Sequence, residues 1–342
     1  MNVLTQVLDF AGRRGPAVLF FGVLVRLLVP PLAEWARPLM GFAVFTFTLG
    51  AFMKVRLDDF KVPLARPRSL AIVLAWTTFG VPAVAILIAR VVPLPGDVTQ
   101  GFLICMLAPP VGSAAAIAAM LGLSPVLALL ATVFATLLAP LYLPPIAAFA
   151  GNLQLHMNPW EMTLRLACII GAAAAVTTLL RRYAGGFVAR NPQAMTGLAV
   201  VGLLLVALGA MRGLQHTVLA QPQLVAGMLL LAFAVNAGFQ LLGLALFSGW
   251  GRAEAVTVGL VSGNRNVTLA WVMAAPALVG HPGVELYIAL SVFPIFMMPA
   301  LTRGVLRRYC AGCRQPAPAV RLTRTEVGDP PVHRSVPSNG ES

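Results

Sequence analysis

Apolar residues in this chain neither mark one face of a helix nor alternate as in a strand. They run on for roughly 20 residues at a time, the length that crosses a bilayer core as a helix. Ten such runs lie near 16–33, 36–54, 69–92, 98–120, 124–150, 160–181, 194–212, 222–248, 253–279 and 283–305. The first is the shortest and weakest. Five precede the polar loop 151–159 and five follow it. An odd number of spans per half makes the halves enter the membrane from opposite sides, so 16–150 and 160–305 are expected to be two inverted five-helix repeats. Residues 1–15 form a short leading segment. Residues 311–342 carry little apolar content and are expected to be a disordered tail.

Composition narrows the class. Hydrophobic residues make up 59% of the chain and charged residues 10%, with a mean hydropathy of +0.86. These values exclude a soluble globular protein and predict an all-α, multi-pass membrane protein in contact with lipid. The net charge of +13 is not a nucleic-acid signature, because the ten spans sort it. Eighteen lysines and arginines fall on one side, including Arg13, Arg14, Lys54, Lys61, Arg181, Arg182, Arg190 and Arg252, and three on the other, Arg37, Arg90 and Arg212. That bias places both termini and the 54–68 and 181–193 loops in the cytoplasm, with a bacterial inner (plasma) membrane as the expected location. Asp9 ahead of the arginines, with no small-residue cleavage site, argues against a signal peptide. Cys310 and Cys313 form a lone CxxC that reads as two juxtamembrane thiols.

Two spans are interrupted at corresponding places in their halves. In the fourth, Ala108-Pro-Pro-Val-Gly-Ser113 removes backbone donors at Pro109 and Pro110. In the ninth, Ser262-Gly-Asn-Arg-Asn266 puts Asn264, Arg265 and Asn266 amid apolar sequence. Matching discontinuous helices point to a transporter site. An arginine at that depth costs several kcal/mol unless it faces a cavity or partners. Asn264, Asn266, Ser113 and Thr132 are expected to face a polar cavity where the two breaks meet. Arg26 and Arg165, inside the first and sixth spans, read as snorkelling side chains.

Leu49-Gly-Ala-Phe-Met-Lys54, Asp59-Phe60, the proline-bearing fourth span, Ala128-Leu-Leu-Ala-Thr-Val-Phe-Ala-Thr-Leu-Leu-Ala-Pro140, Asn236 and Ser262-Gly-Asn-Arg-Asn-Val-Thr-Leu-Ala270 together resemble the bile acid:sodium symporter family. The resemblance covers nearly all of residues 10–305. It implies a panel of spans 1, 2, 6 and 7, beside a core of spans 3–5 and 8–10 in which broken helices 4 and 9 cross. It also implies a two-sodium site, from which this chain departs. Val261 stands at the glutamate position and Arg265 at the glutamine position. Ser113-Ala114 replaces a Ser-Asn pair to within one residue, Ala128 replaces a serine beside a retained Thr132, and Thr77 lies near a glutamine position. An apolar residue near Ile295 replaces a substrate-contacting asparagine.

With those oxygens lost, no metal site and no cofactor is expected. Arg265 would then either hold the crossing by donating to freed carbonyls or grip an anionic group of the substrate. Glu34, Asp97, Glu161, Glu254 and Glu285 fall at span ends, and the four histidines in loops or tail, so no intramembrane acid offers proton coupling or enzyme chemistry. The expected function is alternating-access secondary transport of a small organic anion. A sodium-coupled symporter of organic anions or bile acids is the alternative within transport, and a receptor or scaffold the alternative outside it.

Overall fold

Proline opens most of the long helices, because its missing N–H is one the first turn leaves unpaired anyway and its fixed φ suits the helix. The computed structural model describes residues 3–15, 31–55, 67–150, 158–210, 220–275 and 280–310, with positions 18, 21, 22, 25, 29 and 278. Most of the first expected span with Arg26, Asp59-Phe60, the loop residues 151–157 and 211–219, the tail 311–342 and Cys313 lie outside the described residues.

In chain order the helices are α1 (Val3–Arg13), α2 (Leu32–Ala36), α3 (Met40–Met53), α4 (Pro67–Ala75), α5 (Val81–Val91), α6 (Gly96–Leu107), α7 (Ala114–Leu121), α8 (Pro125–Phe149), α9 (Pro159–Arg190), α10 (Pro192–Ala210), α11 (Pro222–Leu246), α12 (Arg252–Gly263), α13 (Val267–Ala274), α14 (Pro282–Leu290) and α15 (Val292–Cys310). No strand forms among the described residues. Among the described residues, five stretches are long and apolar enough to cross a membrane: Pro67–Val91, Pro125–Phe149, Pro159–Arg190, Pro222–Leu246 and Pro282–Leu306. The architecture is that of an all-α membrane protein.

The central helices are the short ones. Every residue of α13 is buried, as is α12 from Ala255 to Gly263 and α6 from Gln100 to Leu107. The long helices surround them and turn side chains such as Leu141, Leu164 and Leu230 outward, the arrangement expected where lipid is the solvent. On one side α10 packs against α1 and α3, and α3 against α9. On the other, α11 packs against α12, and α6 against α14.

Three features depart from the sequence reading. First, α9 does not end at 181 but continues to Arg190, with a kink at Ala184 (φ −127°, ψ 26°) just before Gly185-Gly186. The residues from Gly185 to Arg190 form a second helical stretch beyond the kink, so the basic segment is helical instead of a loop. Second, α4 and α5 are joined by a π-helical turn, Trp76–Gly80, where Val81 N–H donates to Trp76 O, five residues back. Third, the stretch Pro282–Leu306, which agrees with the expected 283–305 run, is interrupted for one residue at Ser291, whose N–H and hydroxyl both donate to Tyr287 O. Pro294, three residues later, has no N–H to continue the ladder.

Candidate functional site

The two breaks meet. Ala108 is extended (φ −60°, ψ 153°), as a residue before proline must be, and ends α6. Asn264 (φ −87°, ψ 89°) ends α12. Between these ends residues 109–111 and 264–266 run antiparallel: Val111 N–H donates to Asn264 O at 2.9 Å, and Asn266 N–H to Pro109 O at 2.7 Å, with Pro110 opposite Arg265. Backbone groups released by broken helices need partners inside a membrane. Here each break supplies them to the other.

Arg265 sits at this junction with 2% of its surface exposed. Its Nη2 donates to Thr77 O at 2.9 Å and its Nη1 reaches Val261 O at 3.4 Å. The Thr77 carbonyl is available for a local reason. The π turn diverts Val81 N–H to Trp76 O, and the next residue in that register, Pro82, has no N–H to give. A helix defect in α4–α5 thus presents an acceptor to a cation carried on α12–α13. The Thr77 hydroxyl turns back to Val73 O at 2.9 Å and takes no part.

Side chains brace the junction from neighbouring helices. Asn236 on α11 donates from Nδ2 to Gly263 O and to Asn264 Oδ1, both at 2.9 Å, and accepts from Gln240 Nε2 at 2.6 Å. α11 can come this close because Gly259 and Gly263 present no Cβ to it: one added at Gly263 would strike Asn236 O. Asn266 caps α13, its Oδ1 accepting from Leu269 N–H at 3.1 Å. Ser262 donates to Val258 O and accepts from Trp76 Nε1 at 2.8 Å. Thr132 on α8 approaches Val111 O at 3.4 Å.

The remaining expected positions contribute packing. Ala114, Ala128 and Val261 are buried and apolar. Ser113 Oγ, Asn264 Nδ2 and Arg265 Nε reach no hydrogen-bond partner among the described residues. A cavity of about 20 Å³ adjoins the junction and is lined by Cys105, Asn236, Gly263, Arg265, Tyr287 and Ser291 among others. That volume holds about one water-sized group. Asn264, Asn266, Ser113 and Thr132 do not line this cavity; Asn264, Asn266 and Thr132 make their contacts within the junction.

Sequence reasoning missed several contributors. Gln240 follows Asn236 by four residues on an otherwise apolar helix, a same-face polar pair that could have been read as one unit. Trp76 and Pro82 gave no separate signal, since the π register depends on tertiary contacts. Glu285, placed at a span end, is in the first turn of α14 yet buried, with its Oε1 accepting from Trp271 Nε1 at 3.3 Å. Arg165 reaches from α9 toward Val272 O at 3.5 Å.

Among known proteins, the chain is similar to one from Oryza sativa subsp. japonica described as "Probable sodium/metabolite cotransporter BASS1, chloroplastic": 25% of residues are identical over 189 positions, covering 55% of this chain and 46% of that protein. The chain therefore matches about half the length of this relative. No family model matches.

Proposed function

We propose that this chain is a secondary transporter of a small organic anion in which Arg265 replaces a coupling cation. The observation that carries the reading is the buried guanidinium, 2% exposed, donating to a carbonyl of a different span at the meeting point of two broken helices. Coupled transporters of similar pattern would place sodium ions and a carboxylate in this neighbourhood, and two sodium ions with one glutamate carry the same net charge as one arginine. Val261, Ala114 and Ala128 offer no side-chain oxygen to a hard cation, which needs several. Arg265 Nε, with no partner among the described residues, is the donor that an anionic substrate group would meet.

The wider scheme is ten spans in two inverted halves, with spans 1, 2, 6 and 7 as a panel and spans 3–5 and 8–10 as a core, moving against each other by alternating access. Both termini are cytoplasmic in a bacterial inner membrane. Support comes from the packing of α3 against α9 and α10, which correspond to spans 2, 6 and 7, and from the crossing buried within the other helices. The rice relative's description favours a second reading, sodium-coupled symport. Uptake of candidate organic anions into proteoliposomes, with external sodium replaced by choline, separates them. Undiminished uptake in choline is expected. Strict sodium dependence would remove the built-in cation and select the second reading. Absence of substrate-stimulated counterflow for all anions tested would favour a receptor or scaffold.

A further inference from the structure

On an outward face of the bundle lies a groove of about 470 Å³. One wall is a single stripe of α8: Leu138, Leu141, Tyr142, Pro145, Ile146 and Phe149 recur at the three- and four-residue steps of one helix face. The other wall is Thr78 and Phe79, in the π turn between α4 and α5. None of α1, α3, α9 and α10 lines it, and it shares no residue with the crossing. Leu141 and Phe149 are each 72% exposed and Phe79 is 58% exposed. The groove therefore opens away from the protein as an apolar surface of the kind that membrane contact covers.

Length and charge say what fills it. From Leu138 to Phe149 the stripe runs roughly 16 Å at about 1.5 Å per residue, half of the roughly 30 Å hydrocarbon core and so the depth of an acyl chain in one leaflet. Phe149 ends α8 and the polar loop follows it in sequence, which puts that end of the stripe at the membrane boundary. There the guanidinium of Arg90, in the last turn of α5, lies 5.9 Å from the centre of the Phe149 ring. Arg90 is exposed and pairs with no carboxylate among the described residues. An apolar slot one leaflet deep with a cation at its mouth complements a phospholipid, with the chain inside and the phosphate at the rim.

We propose that this groove binds an anionic phospholipid of the surrounding bilayer, one acyl chain lying along α8 from Phe149 to Leu138 and the phosphate against Arg90. A guanidinium matches a phosphate with two parallel donors, and a zwitterionic headgroup would bring its own cation up to the arginine, so a net anionic lipid is favoured. The inner end of the chain meets Thr78 and Phe79, whose turn presents the Thr77 carbonyl to Arg265. Phe79 also meets the Tyr142 ring edge-on, with centroids 6.1 Å apart. A chain packed there opposes rearrangement of the π turn, so the lipid steadies the acceptor that the crossing uses. The site is tested by binding alone and stands or falls independently of the transport reading.

The experiment titrates the full chain in nonionic detergent with palmitoyl lysophosphatidylglycerol, the matching lysophosphatidylcholine, and glycerophosphate as a headgroup without a chain. The anionic lysolipid should raise the melting temperature, the zwitterionic one should bind roughly tenfold more weakly, and glycerophosphate should have no effect. Arg90→Gln should cost the anionic lysolipid that tenfold, about 1.4 kcal/mol, and bring the two level, while Arg90→Lys should recover most of the loss. Leu138→Trp, which fills the inner end of the groove, should abolish binding of both. Leu141→Trp, at a 72% exposed position, makes the same test if Leu138→Trp does not fold. The anionic lysolipid should also slow hydrogen exchange at the Val81 amide, which donates to Trp76 O in the π turn, and should no longer do so in the groove-filling variant. A response to glycerophosphate alone would make the site one for a free phosphate and overturn the lipid. Equal binding of the two lysolipids that Arg90→Gln leaves unchanged, or binding that survives a folded groove-filling variant, would overturn the proposal as well.

Discussion

A guanidinium buried in a membrane protein must be solvated by something, and at Arg265 the solvent is backbone. Among the described residues no carboxylate lies within ion-pair distance of it. Its described bonds go to the carbonyls of Thr77 and Val261, on two different spans, and a hydrogen bond to a charged group contributes about 1.5–3 kcal/mol. Arg265 Nε, however, reaches no partner among the described residues, so the desolvated ion is only partly compensated. A residual demand for negative charge is therefore expected at this position, which is the physical basis for an anionic substrate group there. Arg265→Gln is expected to lower the melting temperature of the detergent-solubilised chain, because a neutral amide cannot span both carbonyls and leaving one unpaired costs about 1–3 kcal/mol. Arg265→Lys should restore the charge but only part of the stability, since a single ammonium lacks the planar fork. A Gln variant that melts with the parent would show that the two carbonyls do not depend on this side chain.

At the scale of elements, the crossing depends on a defect in a third helix. Pro82 and the π turn at Trp76–Gly80 leave Thr77 O outside the helical ladder, and Arg265 takes it up. Pro82→Ala supplies an N–H that can compete for that carbonyl, so it is expected to loosen Arg265 while improving the helix. Hydrogen–deuterium exchange should then rise at the amides of Val111 and Asn266, which pair across the crossing. Unchanged protection at both amides would separate the crossing from the α4–α5 defect. This element also marks the boundary of what the chain reveals in advance. Pro109-Pro110 and Gly263-Asn264 announce their breaks because missing N–H groups and poor helix formers act locally. The burial of Glu285 and the reach of Asn236 to Gly263 and Asn264 arise from contacts between distant segments, which hydropathy does not encode, whereas Gln240 and Pro82 are local signals that an apolar run conceals. The arginines at 181 and 182 stand just before the kink at Ala184, and the helix resumes after it through Arg190, because charged residues continue a helix readily.

For the whole molecule, the decisive question is which end of the bundle faces the cytoplasm. A cleft lined by Lys54 and Arg181, the extension of α9 through Arg190 and the start of α10 at Pro192 share one end, since α3 ends where α9 ends and α10 begins. On the proposed orientation, which rests on the excess of lysine and arginine, that end faces the inside. Asp97 and His281, whose Oδ1 and Nδ1 lie 3.9 Å apart, open α6 and α14 and belong by the same count to the outside. Single cysteines at Ser69 and Pro192, in a background lacking the native cysteines, are expected to resist an impermeant thiol reagent applied to intact cells and to react once the membrane is permeabilised. Both positions are partly or fully accessible in the fold, so protection would reflect the bilayer and not burial. A cysteine at Gly96, where an added Cβ meets nothing within 4 Å, provides the opposite control and should label in intact cells. Rapid labelling at Ser69 and Pro192 with protection at Gly96 would invert the orientation.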